Sequence, residues 1–223
     1  MEIIQGKNIL IVGATGGIGH ETAKLLKQSG GNLFLAGRDS QKLMTVAQGL
    51  QVPSDQVFNI DFEDESSVAK VADAVHAKVG QLDILINAAG IGIIKPLETL
   101  TVDDLQQTLQ ANLIGPFMLF KYIPGVLGKT PMAVASAYAA AMYGLNGMLK
   151  SIREELRRTN IRITNLYLGG VDSAFWDEID MRVQRDKFIT AKEAGRAVWF
   201  LCQQPSSGVV SEMVIQPFNH QAI

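Results

Sequence analysis

Residues 13–19 read Gly-Ala-Thr-Gly-Gly-Ile-Gly and follow directly on the apolar run Asn8–Val12. A buried strand that runs through glycines into a helix is a device for gripping a dinucleotide pyrophosphate. Gly13 permits the tight turn, Gly17 lets backbone approach the phosphates, and Gly19 lets the helix pack on the strand. Thr15 and Ile18 complete a cradle whose donors are the N–H groups of the helix N-terminus. The spacing is G-x-x-x-G-x-G, and glycines also serve any tight strand-to-helix turn, so the reading depends on the flanking strand and helix. Three further features bear polar groups of the right kind. Asp61 follows Ile60 at a strand end, where it can accept from an adenine amino group or cap a helix. Asn87-Ala88-Ala89-Gly90 ends another apolar run, where small residues let backbone lie against an adenosine and Asn87 can pin neighbouring strands. Asn112 interrupts the helical run Leu105–Tyr122, either as a solvated residue or as one that kinks the helix and holds a water.

The elements that must position these groups alternate along the whole chain. Apolar strand patterns fall at 8–12, 32–36, 56–60, 82–87, 131–135, 161–168 and 209–215. Helical patterns fall near 17–29, 40–50, 64–79, 101–121, 138–159 and 190–203. Continuous apolar strands between helices imply a parallel sheet covered on both faces. Right-handed crossovers make it doubly wound, with ligands at the carboxyl ends of its strands. Asp64 is expected to cap one helix, Thr101 and Asp104 to form a capping box, and Gly30 and Gly80 to close helix C-termini. No repeat, low-complexity tract or linker breaks the pattern, which predicts one domain over residues 1–223.

Composition excludes several function classes. The chain has 223 residues, 47% of them hydrophobic, and a net charge of −2. That balance gives no reason to expect nucleic acid or an anionic membrane as partner. No apolar stretch reaches membrane-spanning length, no signal-peptide pattern precedes the first strand, and a cytoplasmic location is expected. The single cysteine, Cys202, rules out an internal disulfide and reads as a buried helical thiol. His20, His76 and His220 have no ligand spacing, so no metal site is expected.

Taken together, the glycine turn, Asp61, Asn87-Ala88-Ala89-Gly90, Asn112 and the last strand Met213-Val214-Ile215 resemble the short-chain dehydrogenase/reductase family over essentially the whole chain. The resemblance implies a Rossmann-type three-layer α/β/α fold, NAD(H) or NADP(H) as cofactor, and hydride exchange with a carbonyl or alcohol substrate. It also implies a homodimer or homotetramer, and a catalytic Ser, Tyr and Lys supported by an Asn. Asn112 stands for that Asn. Ser136 is the natural match for the Ser and Tyr138 for the Tyr, whereas Met142 stands where the Lys belongs. Ser136 and Tyr138 are only two residues apart, where the family has a loop longer by about ten residues. Ser173, after the sixth strand, is placed to bind a nicotinamide carboxamide. Arg38, after the second strand, offers a charge-assisted fork to a 2′-phosphate and points to NADP over NAD, with Asp39 as the alternative ribose ligand.

The altered positions carry a chemical consequence. An ordinary tyrosine, with pKa near 10, is ionised to only about one part in a thousand at pH 7. A neighbouring ammonium stabilises the phenolate, and methionine has neither charge nor donor. If the ammonium supplies about two pKa units, its loss costs on the order of a hundredfold in rate. The sequence therefore predicts an NADP(H)-dependent oxidoreductase with impaired hydride transfer, or a nucleotide-binding scaffold or sensor with the same fold.

Overall fold

The computed structural model describes residues 4–95, 98–123, 136–177, 179, 183–205 and 207–218. The strand pattern at 131–135 lies outside them. Four strands form a parallel sheet in the order β3-β2-β1-β4: β1 (Asn8–Val12), β2 (Asn32–Gly37), β3 (Val57–Asn59) and β4 (Ile84–Asn87). Between them run α1 (Gly17–Gln28), α2 (Ser40–Gly49) and α3 (Glu65–Val79). After β4 come α4 (Val102–Leu109), a π-helical turn (Gln110–Ile114), α5 (Gly115–Tyr122) and α6 (Ser136–Glu155). The chain continues through β5 (Asn165–Leu168), β6 (Val171–Asp172), β7 (Ile189–Thr190), α7 (Ala191–Leu201) and β8 (Glu212–Ile215).

The two-residue period of the strands sorts their side chains into two cores. Ile9, Ile11, Leu33 and Leu35 face Ala23 and Leu26 of α1 and Leu43 and Ala47 of α2. Leu10, Val12, Phe34 and Ala36 face Val68, Val71 and Val75 of α3 and Met118 and Leu119 of α5. Burial on both faces is why these strands read as unbroken apolar runs, and it confirms the three-layer parallel arrangement. Register then fixes the working edge. Val12 pairs with Ala36 on one side and Asn87 on the other, so the Gly13 turn, Gly37-Arg38 and Ala88 emerge at the same end of the sheet.

Among the described residues the second half forms shorter ladders. β5 pairs in parallel with β8, and β6 with β7. Among the described residues no ladder joins β4 to β5; a cavity of about 1140 Å³ is lined by residues of both, including Ile84, Leu85, Ile86, Leu166 and Leu168.

Several elements differ from the sequence expectation in extent. The strand expected over 161–168 forms only at 165–168, with Ile161 exposed, and that expected over 209–215 only at 212–215. The helix expected over 101–121 is three pieces, because the ladder widens at 110–114 and Pro116 begins the next helix. Capping was legible: Asp64 accepts from Ser66 N–H, Thr101 and Asp104 form a capping box, and Gly30 and Gly80 take φ of 82° and 67° at helix ends. A second box, Thr190 with Glu193, starts α7.

Candidate dinucleotide site

The glycine turn is built as the sequence requires. Gly13 has φ of 83°, and a methyl group on it would stand 2.5 Å from the Ala89 nitrogen. A methyl on Gly19 would overlap the Gly13 carbonyl. A side chain at either position would therefore separate β1 from β4 or from its own helix. Gly16 begins α1 with no side-chain cap, and no acid lies in the first turn. The N–H groups of Gly17, Ile18 and Gly19 are thus the unpaired donors of a twelve-residue helix at its positive end. His20 is half-buried on this helix, and burial lowers its pKa.

The strand ends on either side carry the cofactor-choice residues. Asp39 is the N-cap of α2: its carboxylate accepts from the Lys42 amide at 3.0 Å, a bond that lowers its pKa. Its Oδ1 is therefore engaged by the helix. Arg38 is exposed beside it and has no ion-pair partner among the described residues. Its carbonyl accepts from Asn59 Nδ2 at 2.8 Å, which fixes the backbone there. The helix-cap reading of Asp61 is corrected, since Asp64 caps α3; Asp61 instead accepts from Glu63 N–H at 3.0 Å and closes a short turn. Among the described residues the Asn87 side chain makes no bond to a neighbouring strand. Its Oδ1 turns forward and accepts from Ala89 N–H at 3.1 Å, shaping the Ala88-Ala89-Gly90 bend.

Asn112 is neither solvated nor a simple kink. It is buried inside the π turn, and its amide bonds both sides of one residue: Oδ1 accepts from Ile91 N–H at 2.9 Å and Nδ2 donates to Ile91 carbonyl at 2.8 Å. The extra residue of the π turn lets a helix side chain act as a strand partner for the segment after β4. A methyl on Gly90 would meet Asn112 Oδ1 at 3.0 Å, which explains the glycine. The same segment is tied again at Lys95, whose ammonium lies 2.8 and 2.9 Å from the two Asp104 oxygens. That contact, with the Thr101 bonds, lowers the Asp104 pKa to about 2.

The catalytic expectations fare differently. Ser136 does not end a strand; it lies in the first turn of α6, the helix that also carries Tyr138. Positions two apart on a helix are about 200° apart around its axis, so 136 and 138 occupy opposite sides. Tyr138 and Met142 share a side, as i and i+4 must, and both line the cavity together with Asn112, Gly90 and Ser173. Tyr138 packs edge-on against Phe175, with ring centroids 6.1 Å apart. Its hydroxyl has no hydrogen-bond partner among the described residues, and burial alone raises its pKa. Met142 packs with Leu113, Leu145 and Leu149 and puts no charge near the phenol.

The turn after β6 closes the site from the other side. A methyl on Gly17 would stand 3.2 Å from Cβ of Ser173, so Ser173 rests on the phosphate turn. Phe175 fills the space that a side chain on Gly92 would need. Trp176, buried in a short 3₁₀ turn, donates from Nε1 to the Val171 carbonyl at 2.9 Å. Gly92 was the one visible sign of this aromatic contact in the sequence. Cys202 ends α7, and burial pushes its thiol up to about 12, far from a reactive thiolate. Thr15, Arg38 and Asp61 do not line the cavity; they lie by the ends of β1, β2 and β3.

Among the described residues no helix is long and apolar enough to cross a membrane. The chain is 27% identical over 232 residues to an uncharacterized oxidoreductase of Staphylococcus epidermidis, covering 97% of this chain and all of that one. An uncharacterized oxidoreductase of Mycobacterium bovis is also 27% identical, over 96% of this chain and 65% of its own length. Among solved structures, an alcohol dehydrogenase from the archaeon Thermococcus sibiricus complexed with 5-hydroxy-NADP superposes with TM-score 0.85 at 22% identity, covering 96% of this chain and 97% of that one. A metagenomic short-chain oxidoreductase in complex with NADP gives 0.80 at 24% identity, covering 96% and 98%. The family model for short chain dehydrogenases matches residues 7–124 and 122–184, and the chain belongs to that family.

Proposed function

We propose that this protein binds NADP(H) and is a reductase of small carbonyl compounds whose hydride-transfer step is impaired. The observation that carries the reading is the uncapped N-terminus of α1 behind Gly13, open toward Ala88–Gly90 and flanked by Ser173. In this reading the amides of residues 17–19 hold the diphosphate, with Thr15 and Ile18 in the same turn. Arg38 forks onto the 2′-phosphate, supported by its exposed place at the end of β2 and by the engagement of Asp39 Oδ1 with α2. Asp61 accepts from the adenine edge, the Asn87–Gly90 backbone flanks the adenosine, and Ser173 bonds the carboxamide. The bound cofactor supplies hydride chemistry at its nicotinamide.

The protein's own part in the reaction is proton delivery. Tyr138 donates its phenolic proton to the substrate oxygen, Ser136 belongs to the same helix turn, and Asn112 holds the backbone of Ile91, which lines the same cavity as Tyr138. A phenol whose pKa is raised by burial keeps its proton at neutral pH. It can serve carbonyl reduction but is a poor base for alcohol oxidation. Lacking an ammonium at 142, it is also a weak acid for the forward step.

A second reading is supported by the same residues: Met142 and the opposed placement of 136 and 138 suit a nucleotide-binding scaffold that does not turn over. NADPH fluorescence titration followed by NADPH oxidation with a panel of ketones separates the two. Binding with slow turnover supports the reductase, binding without turnover supports the scaffold, and silence toward both NADPH and NADH removes both. The unbroken strand–helix pattern supports a single domain and the family resemblance a homo-oligomer; these, and the proposed cytoplasmic setting, are tested by size-exclusion chromatography with light scattering and by cell fractionation.

A further inference from the structure

The turn after β6 spans the whole site, with Ser173 on the phosphate turn and Phe175 against Tyr138. Its backbone anchorage is short: β6 and β7 pair over two residues, Val171 with Ile189 and Asp172 with Thr190. Trp176 adds its bond to the Val171 carbonyl and packs against Phe188. A charged side chain ties the turn as well. Arg185, in a 3₁₀ turn just before β7, lies with Nε 2.6 Å from Asp172 Oδ1 and Nη1 2.6 Å from Asp177 Oδ1. Its Nη2 donates to the Ser173 carbonyl at 3.1 Å. A single guanidinium therefore holds the turn at two successive residues of its start and at its end.

We infer that Arg185 is a positioning residue: its fork sets how the 172–177 turn lies across the nucleotide cradle and against Tyr138. The inference rests on the NADP(H) reading for its functional consequence. Isolated surface ion pairs contribute little, and the Arg185 side chain is 39% exposed, so charge attraction by itself explains little order. What the site uses is the planar five-donor geometry, which reaches two carboxylates and a carbonyl at once and which lysine cannot copy. Loosening the fork shifts two contacts together, Ser173 on Gly17 and Phe175 on Tyr138, one on the cofactor side and one on the substrate side.

Trp176 sits inside this turn and reports on it. The chain has two tryptophans, so Trp199→Phe leaves Trp176 as the single emitter. In that background Arg185→Met is expected to raise acrylamide quenching of Trp176 at least about twofold without nucleotide, as a loosened turn opens to solvent. The same variant is expected to weaken NADPH binding about three- to tenfold. Arg185→Lys keeps the charge and is expected to recover less than half of each effect, while Asp172→Asn with Asp177→Asn reproduces Arg185→Met. Unchanged quenching in Arg185→Met overturns the inference, as does full recovery by Arg185→Lys, which would reduce Arg185 to a charge. Should thermal melts show Arg185→Met unfolded, the lysine and double-Asn variants decide. If the parent protein takes no NADPH, the cofactor reading fails, and apo quenching still tests the latch.

Discussion

The two halves of this site are built to different standards. From β1 to Ile91 every special feature has its counterpart: Gly13 fits Ala89, Gly19 fits Gly13, Asn87 shapes its own bend, and Asn112 holds Ile91 at both polar ends. Around α6 the described residues supply no such counterparts. Among them Tyr138 has an aromatic neighbour but no cation, Met142 joins an apolar cluster, and position 136 lies across the helix from 138. Binding a nucleotide and activating a phenol are thus separable properties of one fold. The first rests on backbone geometry, and the second rests on a few side chains that a chain can lose without losing the fold.

The comparison can be broken most forcefully at Gly13. Gly13→Val places a branched side chain at φ of 83° and against the Ala89 backbone. It is expected to abolish NADPH binding and to destabilise the fold by more than about 3 kcal/mol, read by nucleotide titration and chemical denaturation. Retained binding would show that the turn is not the cradle. On the other side, Met142→Lys is expected to raise ketone reduction by roughly ten- to a hundredfold and to shift the pH–rate profile toward neutrality. An unchanged rate would move the fault from the missing ammonium to the placement of 136 relative to 138.

Smaller effects sharpen the same contrast. Asn112→Ala leaves both Ile91 polar groups without their partner and is expected to cost about 2 kcal/mol in urea melts, with NADPH affinity also reduced. Arg38→Ala is expected to weaken NADPH about tenfold while leaving NADH unchanged, in paired titrations. The smallest effect is acid lability of the Lys95–Asp104 tie. The Asp104 pKa is lowered from 3.8 to about 2 in the folded state, so its contribution is present above pH 3.8 and is lost as pH falls toward 2. Asp104→Asn is expected to flatten the stability curve across that window; an unaltered curve would remove the tie from the account.

How much of this was legible depended on the range of the interaction. Caps and turns join residues two to four apart, so Asp64, Thr101 with Asp104, Gly30 and Gly80 were readable from the chain. Asp61 was left with two readings, because an acid after a strand suits a ligand and a turn equally well, and Asp39 was read only as the alternative ribose ligand. In the structure Asp39 caps α2, and Asp64 rather than Asp61 caps α3. Ser136 was misplaced at a strand end, for a short apolar run does not say whether it continues as strand or begins a helix.

The sequence by itself determined the alternation of strands and helices, the glycine turn and the absence of a cation at 142. Those are matters of local periodicity, of φ angles open only to glycine, and of residue type. Only the tertiary structure decided that Asn112 serves Ile91, that Phe175 fills the Gly92 notch, and that Arg185 binds three points of one turn. Such pairs are brought together by the packing of whole elements, and nothing in the spacing of the residues along the chain records the distance between them in space.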